Sequence, residues 1–470
     1  MEETHKLERG LSNRHIQLMA IGGAIGTGLF LGSGQSIALA GPSILFAYMI
    51  TGGVLFLVMR ALGEILLSNL NFHSFVDFTK EYLGERMAFL VGWTYWLCWV
   101  CAAMADLTAV GLYTQYWIPA MPGWLPGLIA LAILVGLNSL SVKLFGEIEF
   151  WFAIIKIVAI IALILVGAYL IFTGLQYTSS NGEVIHASFS NIISRHGLFP
   201  KGIKGFLISF QMVCFAFAGI EMIGLTAGET ADPEKSLPKA VNSIPIRIIL
   251  FYVGALAIIM SIYPWDIVDP TQSPFVKVFM AAGIASAATA INFVVLTSAM
   301  SACNSAVFST SRMVFSLAKG NSAPQMFKKV SKHKVPLNSL LFSGSVIGGA
   351  ILINYFVPNA SQAFVLISGV TTTCFVFIWG SITLSHYRYR KTRPELAKTS
   401  KFKMPLFPIS SYVIFGFLAF IIVVLGVNDA TRLPLLCTPI WFIILLIAYH
   451  GILKNRERKI IKNNNLVINK

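Results

Sequence analysis

The sequence predicts an all-α integral membrane protein of about 12 transmembrane helices, on three observations: composition, a succession of long apolar runs, and the placement of basic residues. Of the 470 residues, 56% are hydrophobic and only 12% charged, and the mean hydropathy is +0.75. A soluble chain of this length needs a far more polar surface, because charged side chains cover a water-facing exterior. A bilayer removes that need, and roughly 20 apolar residues suffice to cross it. Runs of that kind lie at approximately 15–39, 43–68, 86–116, 126–141, 145–173, 206–225, 244–263, 286–317, 338–356, 361–386, 407–427 and 434–453. The third and eighth are long enough to tilt or to extend into water. The formal net charge of +15 would suit nucleic acid if it were clustered on a folded surface. Here the basic residues sit in short connections between apolar runs, so a bilayer with anionic headgroups is the expected partner and nucleic acid is not.

Orientation follows from the same residues. With the N-terminus inside, one set of connections collects Lys6, Arg9, Arg14, Lys80, Arg86, Lys143, Lys235, Lys239 and Arg247. It also collects the stretch Arg312–Lys334, the cluster Arg388–Lys403 and the tail Lys454–Lys470. That is roughly 28 of the 35 basic residues, against about five on the other side, so a cytoplasmic membrane location with both termini cytoplasmic is expected. The polar start, Met1–Arg14, carries no small-residue cleavage signature after the first run, and a removable signal peptide is not expected. The connection at about 174–205 is Ser/Asn-rich and reads as a loop, and Glu229–Lys239, with paired prolines, reads as a structured turn. The six cysteines, Cys98, Cys101, Cys214, Cys303, Cys374 and Cys437, all fall in apolar runs. The C-x-x-C at Cys98 and Cys101 lies inside a helix, where small buried residues serve packing.

Chemistry concentrates where the helices are predicted to break. Ile21–Gly32 holds Gly22, Gly23, Gly26 and Gly28 in the middle of the first run. Each glycine costs a helix interior about 1 kcal/mol, so several together favour unwinding. Unwound backbone at membrane depth survives only where protein covers it or it lines a cavity, and the freed amides at a helix start suit a carboxylate. Close helix packing through small residues explains the glycines equally well. A dinucleotide fold is excluded, since no strand precedes them. The sixth run holds a second candidate break, Cys214–Glu221, where Gly219 stands two residues before an acid at membrane depth. Two interrupted helices five apart place them in corresponding positions of inverted repeats, the arrangement that marks a transport site.

Further ionisable and hydroxyl residues fall in apolar runs. Lys156 lies among several turns of apolar residues; desolvation penalises its ammonium form, as a proton carrier requires. A structural lysine bonded to carbonyls of an unwound helix, or one snorkelling to the interface, fits the same residue. Asp106 reads as a partner for a cation or as pathway lining, and Glu64 as an inner-gate or packing residue near Arg60. Ser298, Ser301 and Ser305 share one helix face, as helix glue or as contacts for an ion or ammonium group.

On these residues the sequence resembles the amino acid–polyamine–organocation superfamily, and most closely its bacterial D-serine/D-alanine/glycine permeases. The resemblance covers about residues 10–455. It rests on Leu11–Leu18, Gly22–Phe30, Phe145–Val158, Asp232–Pro238, Asn242–Arg247 and Ser309–Met313. It implies a five-plus-five inverted repeat with discontinuous helices 1 and 6. Repeat 1 would span 15–173, repeat 2 206–386, and two extra helices 407–453, between tails 1–14 and 454–470. It also implies proton-driven uptake of a small amino acid. Amides around Gly26, Thr27 and Gly28 would hold the substrate carboxylate; carbonyls of Ala24, Phe215 and Ala218, at the Gly219 break, would take its ammonium, with Phe215 as a lid. Glu221 matches the superfamily's sixth-helix acid, and Lys156 its fifth-helix lysine; Asp106, Ser301 and Ser305 complete the candidate coupling and gating set.

No cofactor, metal or catalytic residue is expected. A membrane enzyme needs clustered His, Cys or carboxylates on facing helices, yet the eight histidines are scattered. A channel needs repeated pore-lining polar rings. A nutrient sensor on the same fold, an exchanger, a sodium symporter, or a permease for another neutral L-amino acid are the competing readings.

Overall fold

In hydrocarbon every backbone N–H and C=O must find its partner within the segment, so apolar runs of this length fold as helices. The computed structural model describes residues 25–72, 74–179, 182–222, 224, 232–352 and 359–468, and these are almost entirely helical. Nine helices among the described residues are long and apolar enough to cross a membrane, and two shorter apolar helices accompany them.

Among the described residues the first element is the short helix α1 (Thr27–Phe30), which passes through a turn at Leu31 into α2 (Gly32–Ala40). The helices α3 (Ile44–Ser68), α4 (Phe75–Leu83), α5 (Glu85–Gln115), α6 (Trp124–Leu140) and α7 (Val142–Phe172) follow. After a hairpin come α8 (Gly202–Ala216), α9 (Pro233–Asn242), a π turn over Ile248–Gly254, α10 (Ala255–Ile262) and α11 (Pro274–Ala281). The last long elements are α12 (Ala285–Lys319), α13 (Leu337–Ile351), α14 (Ala360–Thr392), α15 (Ile409–Val427) and α16 (Asp429–Ile468).

Helix α5 is the hub of the bundle, packed against α1, α4, α6, α12, α13, α14 and α16. Its side chains are mostly buried, whereas Val158, Leu165, Tyr169 and Phe172 of α7 and much of α16 stand exposed. Exposed apolar side chains of that size are stable against lipid and costly against water.

Two ends of the bundle differ in chemistry. At the basic end, Arg390 and His386 of α14 bond Glu64 of α3, while Arg60 donates to the Lys403 carbonyl and to Asn242. Glu64 thus has partners 322 and 326 residues away in addition to the Met404 amide at 2.7 Å, a wider set than the Arg60 proximity read from the sequence. At the far end the 174–205 connection is not a plain loop. Its strands β1 (Gln176–Thr178) and β2 (Val184–His186) pair antiparallel in the register Tyr177↔Ile185. The turn uses Gly182 at φ +79°, a conformation that favours glycine. Ile185 is buried, the Tyr177 hydroxyl donates to the Ile262 carbonyl at 2.9 Å, and Arg195 bridges Glu183 and Asp266. Three-residue strands in a polar segment leave almost no alternation to read. The reading of Glu229–Lys239 as a turn also changes: residues 225–231 lie outside the described set, but Pro233–Asn242 is a helix. Pro233 occupies its first turn, where the missing N–H costs nothing, and the Asp232 side chain accepts from the Lys235 amide.

Candidate functional site

The start of α1 and the end of α8 meet in the middle of the bundle. Gly26, extended, precedes α1, and its carbonyl accepts from Leu29 N (3.1 Å) and Phe30 N (3.2 Å). The amides of Gly26, Thr27 and Gly28 therefore lie at a helix start, with the partial positive charge of the peptide dipoles behind them. The second helix end is that of α8. Its last turn tightens through Phe217 N to Cys214 O (3.1 Å) and Ala218 N to Phe215 O (2.9 Å). Gly219 then adopts φ +94°, and a single 3-10 turn over Ile220–Met222 carries Glu221. The Phe215 carbonyl, once engaged by Ala218, keeps a second lone pair for another donor.

The two helix ends touch. A Cβ built on Gly28 would lie 2.4 Å from the Ala216 Cα and 3.0 Å from its nitrogen, so only glycine allows α1 this close to α8. Gly26 is different, since a Cβ there would meet Ala302 Cβ at an ordinary 3.5 Å. Glycine thus serves close packing at Gly28, and the same packing brings the start of α1 against the end of α8. The Ala216 carbonyl, released where α8 ends, accepts from the Tyr252 hydroxyl at 3.2 Å. Tyr252 is presented by the π turn, a distortion that often accompanies functional sites. Phe215 packs edge-on against Phe364, with centroids 5.6 Å apart.

Charged groups flank this junction from α5, α7 and α12. The Thr27 hydroxyl donates to Asp106 Oδ1 at 2.6 Å, and Lys156 Nζ donates to the Ile25 carbonyl at 2.9 Å. Ser298 of α12 bonds the same carbonyl at 3.4 Å. Asp106 and Lys156, both buried, also attract each other electrostatically. A carboxylate from α5 and an ammonium from α7 therefore hold the two sides of the α1 entrance.

The predicted residues divide among three places. Gly26, Thr27, Gly28, Asp106, Lys156, Phe215, Ala218 and Gly219 gather at the junction, and Ala24 lies outside the described residues. Ser301 donates to Glu149 Oε1 at 2.6 Å, and the buried Ser305 hydroxyl has no hydrogen-bond partner among the described residues. Glu221 is fully buried; its carboxylate neighbours Tyr95 and Trp379 without closing a hydrogen bond among the described residues. Glu64 belongs to the cluster at the basic end. Cys98 donates to the Thr371 carbonyl at 3.5 Å, in keeping with helix packing. Toward the far end a cavity of about 460 Å³ opens between α2, α8 and α14, lined by Gln35, Gln211, Met212, Ser361 and Asn428. Gln35 closes one side of it, donating to the Pro270 carbonyl (2.8 Å) and to Ser361 (2.9 Å).

Sequence reasoning did not single out Tyr252 or the polar chain Glu149–Asn304–Asn138. Asn304 Nδ2 reaches Glu149 Oε2 at 3.3 Å, and Asn138 Nδ2 reaches Asn304 Oδ1 at 2.7 Å. Polar residues at depth were the available signal.

The family model described as amino acid permease matches residues 15–462. The chain is 62% identical to the uncharacterized transporter YdgF of Bacillus subtilis strain 168, over 94% of this chain and 95% of that protein. It is 59% identical to the amino-acid permease AapA of the same organism, over 95% of each. It is 51% identical to the D-serine/D-alanine/glycine transporter of Escherichia coli strain K12, over 97% of this chain and 96% of that one.

Proposed function

The chain belongs to the amino acid permease family, and from that premise we propose that it takes up small neutral amino acids, such as D-serine, D-alanine and glycine, by proton symport and alternating access. The observation that carries the reading is the meeting of the start of α1 and the end of α8 at Gly28 and Ala216, flanked by Asp106 and Lys156. The substrate carboxylate is taken by the amides of Gly26, Thr27 and Gly28, beside Ala24. The ammonium is taken by carbonyls of Ala24, Phe215 and Ala218 at the Gly219 turn, and the Phe215 ring closes over it. The formal charges of Asp106 and Lys156 offset one another, which suits a zwitterion with no net charge. A charged substrate side chain would add a buried charge without a partner, a cost of several kcal/mol. The relative named for D-serine, D-alanine and glycine supports the substrate class.

In this reading the fold is a five-plus-five inverted repeat with discontinuous helices 1 and 6 and two C-terminal helices, 12 spans in all, as the resemblance implies. The protein lies in the cytoplasmic (inner) membrane with both termini inside, so the basic end is cytoplasmic. Lys156 couples transport to the proton: as ammonium it binds α7 to the α1 entrance through Ile25, and as amine it releases that contact. Asp106, Glu221, Ser301 and Ser305 assist coupling and gating.

The test is uptake of labelled glycine into proteoliposomes holding the purified protein, against a panel of unlabelled competitors. Glycine, D-alanine, D-serine and L-alanine should compete, while lysine, glutamate and polyamines should not. Strong inhibition by arginine or glutamate with none by glycine would overturn the substrate class.

A further inference from the structure

Glu149 and Lys156 stand seven residues apart on α7, two helical turns and so roughly 10 Å along the same face. Both are buried, with Glu149 at 0% exposure. Glu149 lies nearer the basic end, since α7 starts at Val142 there. A carboxylate at that depth is costly without a cation or several donors. Its hydrogen-bond partners among the described residues are neutral: the Ser301 hydroxyl at 2.6 Å and the Asn304 amide at 3.3 Å. Its charge also acts on Lys156.

Few other charged groups surround it. On α12 the titratable residues are Cys303, Arg312 and Lys319, and on the π turn Tyr252; α6 and α10 contribute none. On α7 itself they are Lys143, Glu147, Lys156 and Tyr169, and Asp106 of α5 faces Lys156 from the other side. The lysine thus sits between a carboxylate at the substrate junction and a carboxylate toward the basic end. Two hydroxyls of α12 occupy the interval: Ser298 on the carbonyl that Lys156 holds, and Ser301, three residues on, already donating to Glu149.

We propose that Glu149 is the proton acceptor on the cytoplasmic side of Lys156, receiving the coupled proton through the α12 hydroxyl face and delivering it to the cytoplasm. The inference rests on the proton-coupled role of Lys156 given above. In the step an N–H bond of the Lys156 ammonium breaks and its electron pair stays on Nζ. An O–H bond forms on Glu149, so ammonium and carboxylate become amine and acid with no change in the pair's net charge. Lys156, now an amine, lets go of the Ile25 carbonyl for the return of the empty carrier, and the acid loses its proton to cytoplasmic water. The loaded carrier moves either way without this step.

The test uses full-length protein in proteoliposomes with an inward proton gradient. At one proton per glycine, wild type accumulates glycine roughly tenfold per unit of pH difference. Glu149→Gln keeps an oxygen for the Ser301 hydroxyl but cannot carry a proton. It should lose accumulation almost entirely, while glycine counterflow, which needs no net proton movement, stays within about threefold of wild type. Normal accumulation by Glu149→Gln overturns the proposal, as does a fall in counterflow as large as the fall in accumulation, which marks a structural residue. Should Glu149→Gln not fold, Glu149→Asp decides: accumulation persists but its dependence on internal pH moves, and an unmoved profile overturns the proposal. A wild type driven by sodium and indifferent to the pH gradient overturns the parent reading instead.

Discussion

Replacing Gly28 by alanine is the smallest change that tests whether the meeting of the α1 start with the α8 end matters. The added Cβ would stand 2.4 Å from the Ala216 Cα and 3.0 Å from its nitrogen, both backbone atoms that no rotamer change can move. Carbon atoms rest about 3.5–4.0 Å apart, so α1 and α8 must separate by about 1 Å or more. Overpacking of that kind costs about 1–3 kcal/mol in stability, and a displacement of about 1 Å at a binding site costs on the order of 100-fold in turnover. Gly26→Ala is the control, because its Cβ would meet Ala302 at 3.5 Å in a backbone conformation open to any residue. The assay is the initial rate of glycine uptake in proteoliposomes as kcat/KM, with thermal melting of the same preparations. Gly28→Ala should lose on the order of 100-fold and melt lower, while Gly26→Ala stays within about threefold. Wild-type transport by Gly28→Ala, or equal loss in both variants, would refute the geometric argument.

Two further outcomes follow from contacts around the site. Tyr252→Phe removes the donor to the Ala216 carbonyl and should cost about 1 kcal/mol, seen as a roughly fivefold fall in kcat/KM for glycine; an unchanged value would make the contact a bystander. Glu64→Gln removes the charge shared by His386, Arg390 and the Met404 amide. Breaking such a buried pair costs about 3–5 kcal/mol, and the 15% exposure of the Arg390 side chain argues for the lower end. The purified variant should melt well below wild type, and an equal melting temperature would show that the cluster holds nothing together.

The helix start after Gly26 and the helix end before Gly219 were legible because their signals are local. Gly26 and Gly28 stand in an apolar run whose Gly22 and Gly23 lie outside the described residues, and Gly219 stands where the backbone reaches φ +94°. Lys156 and Asp106 were legible as charges in apolar runs. For Lys156 the kind of partner, a carbonyl of an unwound helix, was legible too, though not that it is Ile25; nothing in the sequence links Asp106 to Thr27, since that pair joins distant helices. Glu149 lies close to the start of its run, where an acid can reach water at little cost. Only the α12 face with Ser301 and Asn304 makes it a buried group. The Glu64–His386–Arg390 cluster escaped for the same reason, and Tyr252 because a tyrosine in an apolar run gives no sign of where its hydroxyl ends.

The proposed proton-driven passage of small amino acids through the junction of α1 and α8, by way of Lys156, is tested most directly by glycine accumulation in proteoliposomes. The measurement imposes an inward proton gradient without sodium on wild type and on Lys156→Ala. Wild type should concentrate glycine by roughly tenfold per unit of pH difference at one proton per glycine, and Lys156→Ala should reach equilibrium and no further while still exchanging glycine. A Lys156→Ala protein that concentrates glycine as wild type does would contradict the account.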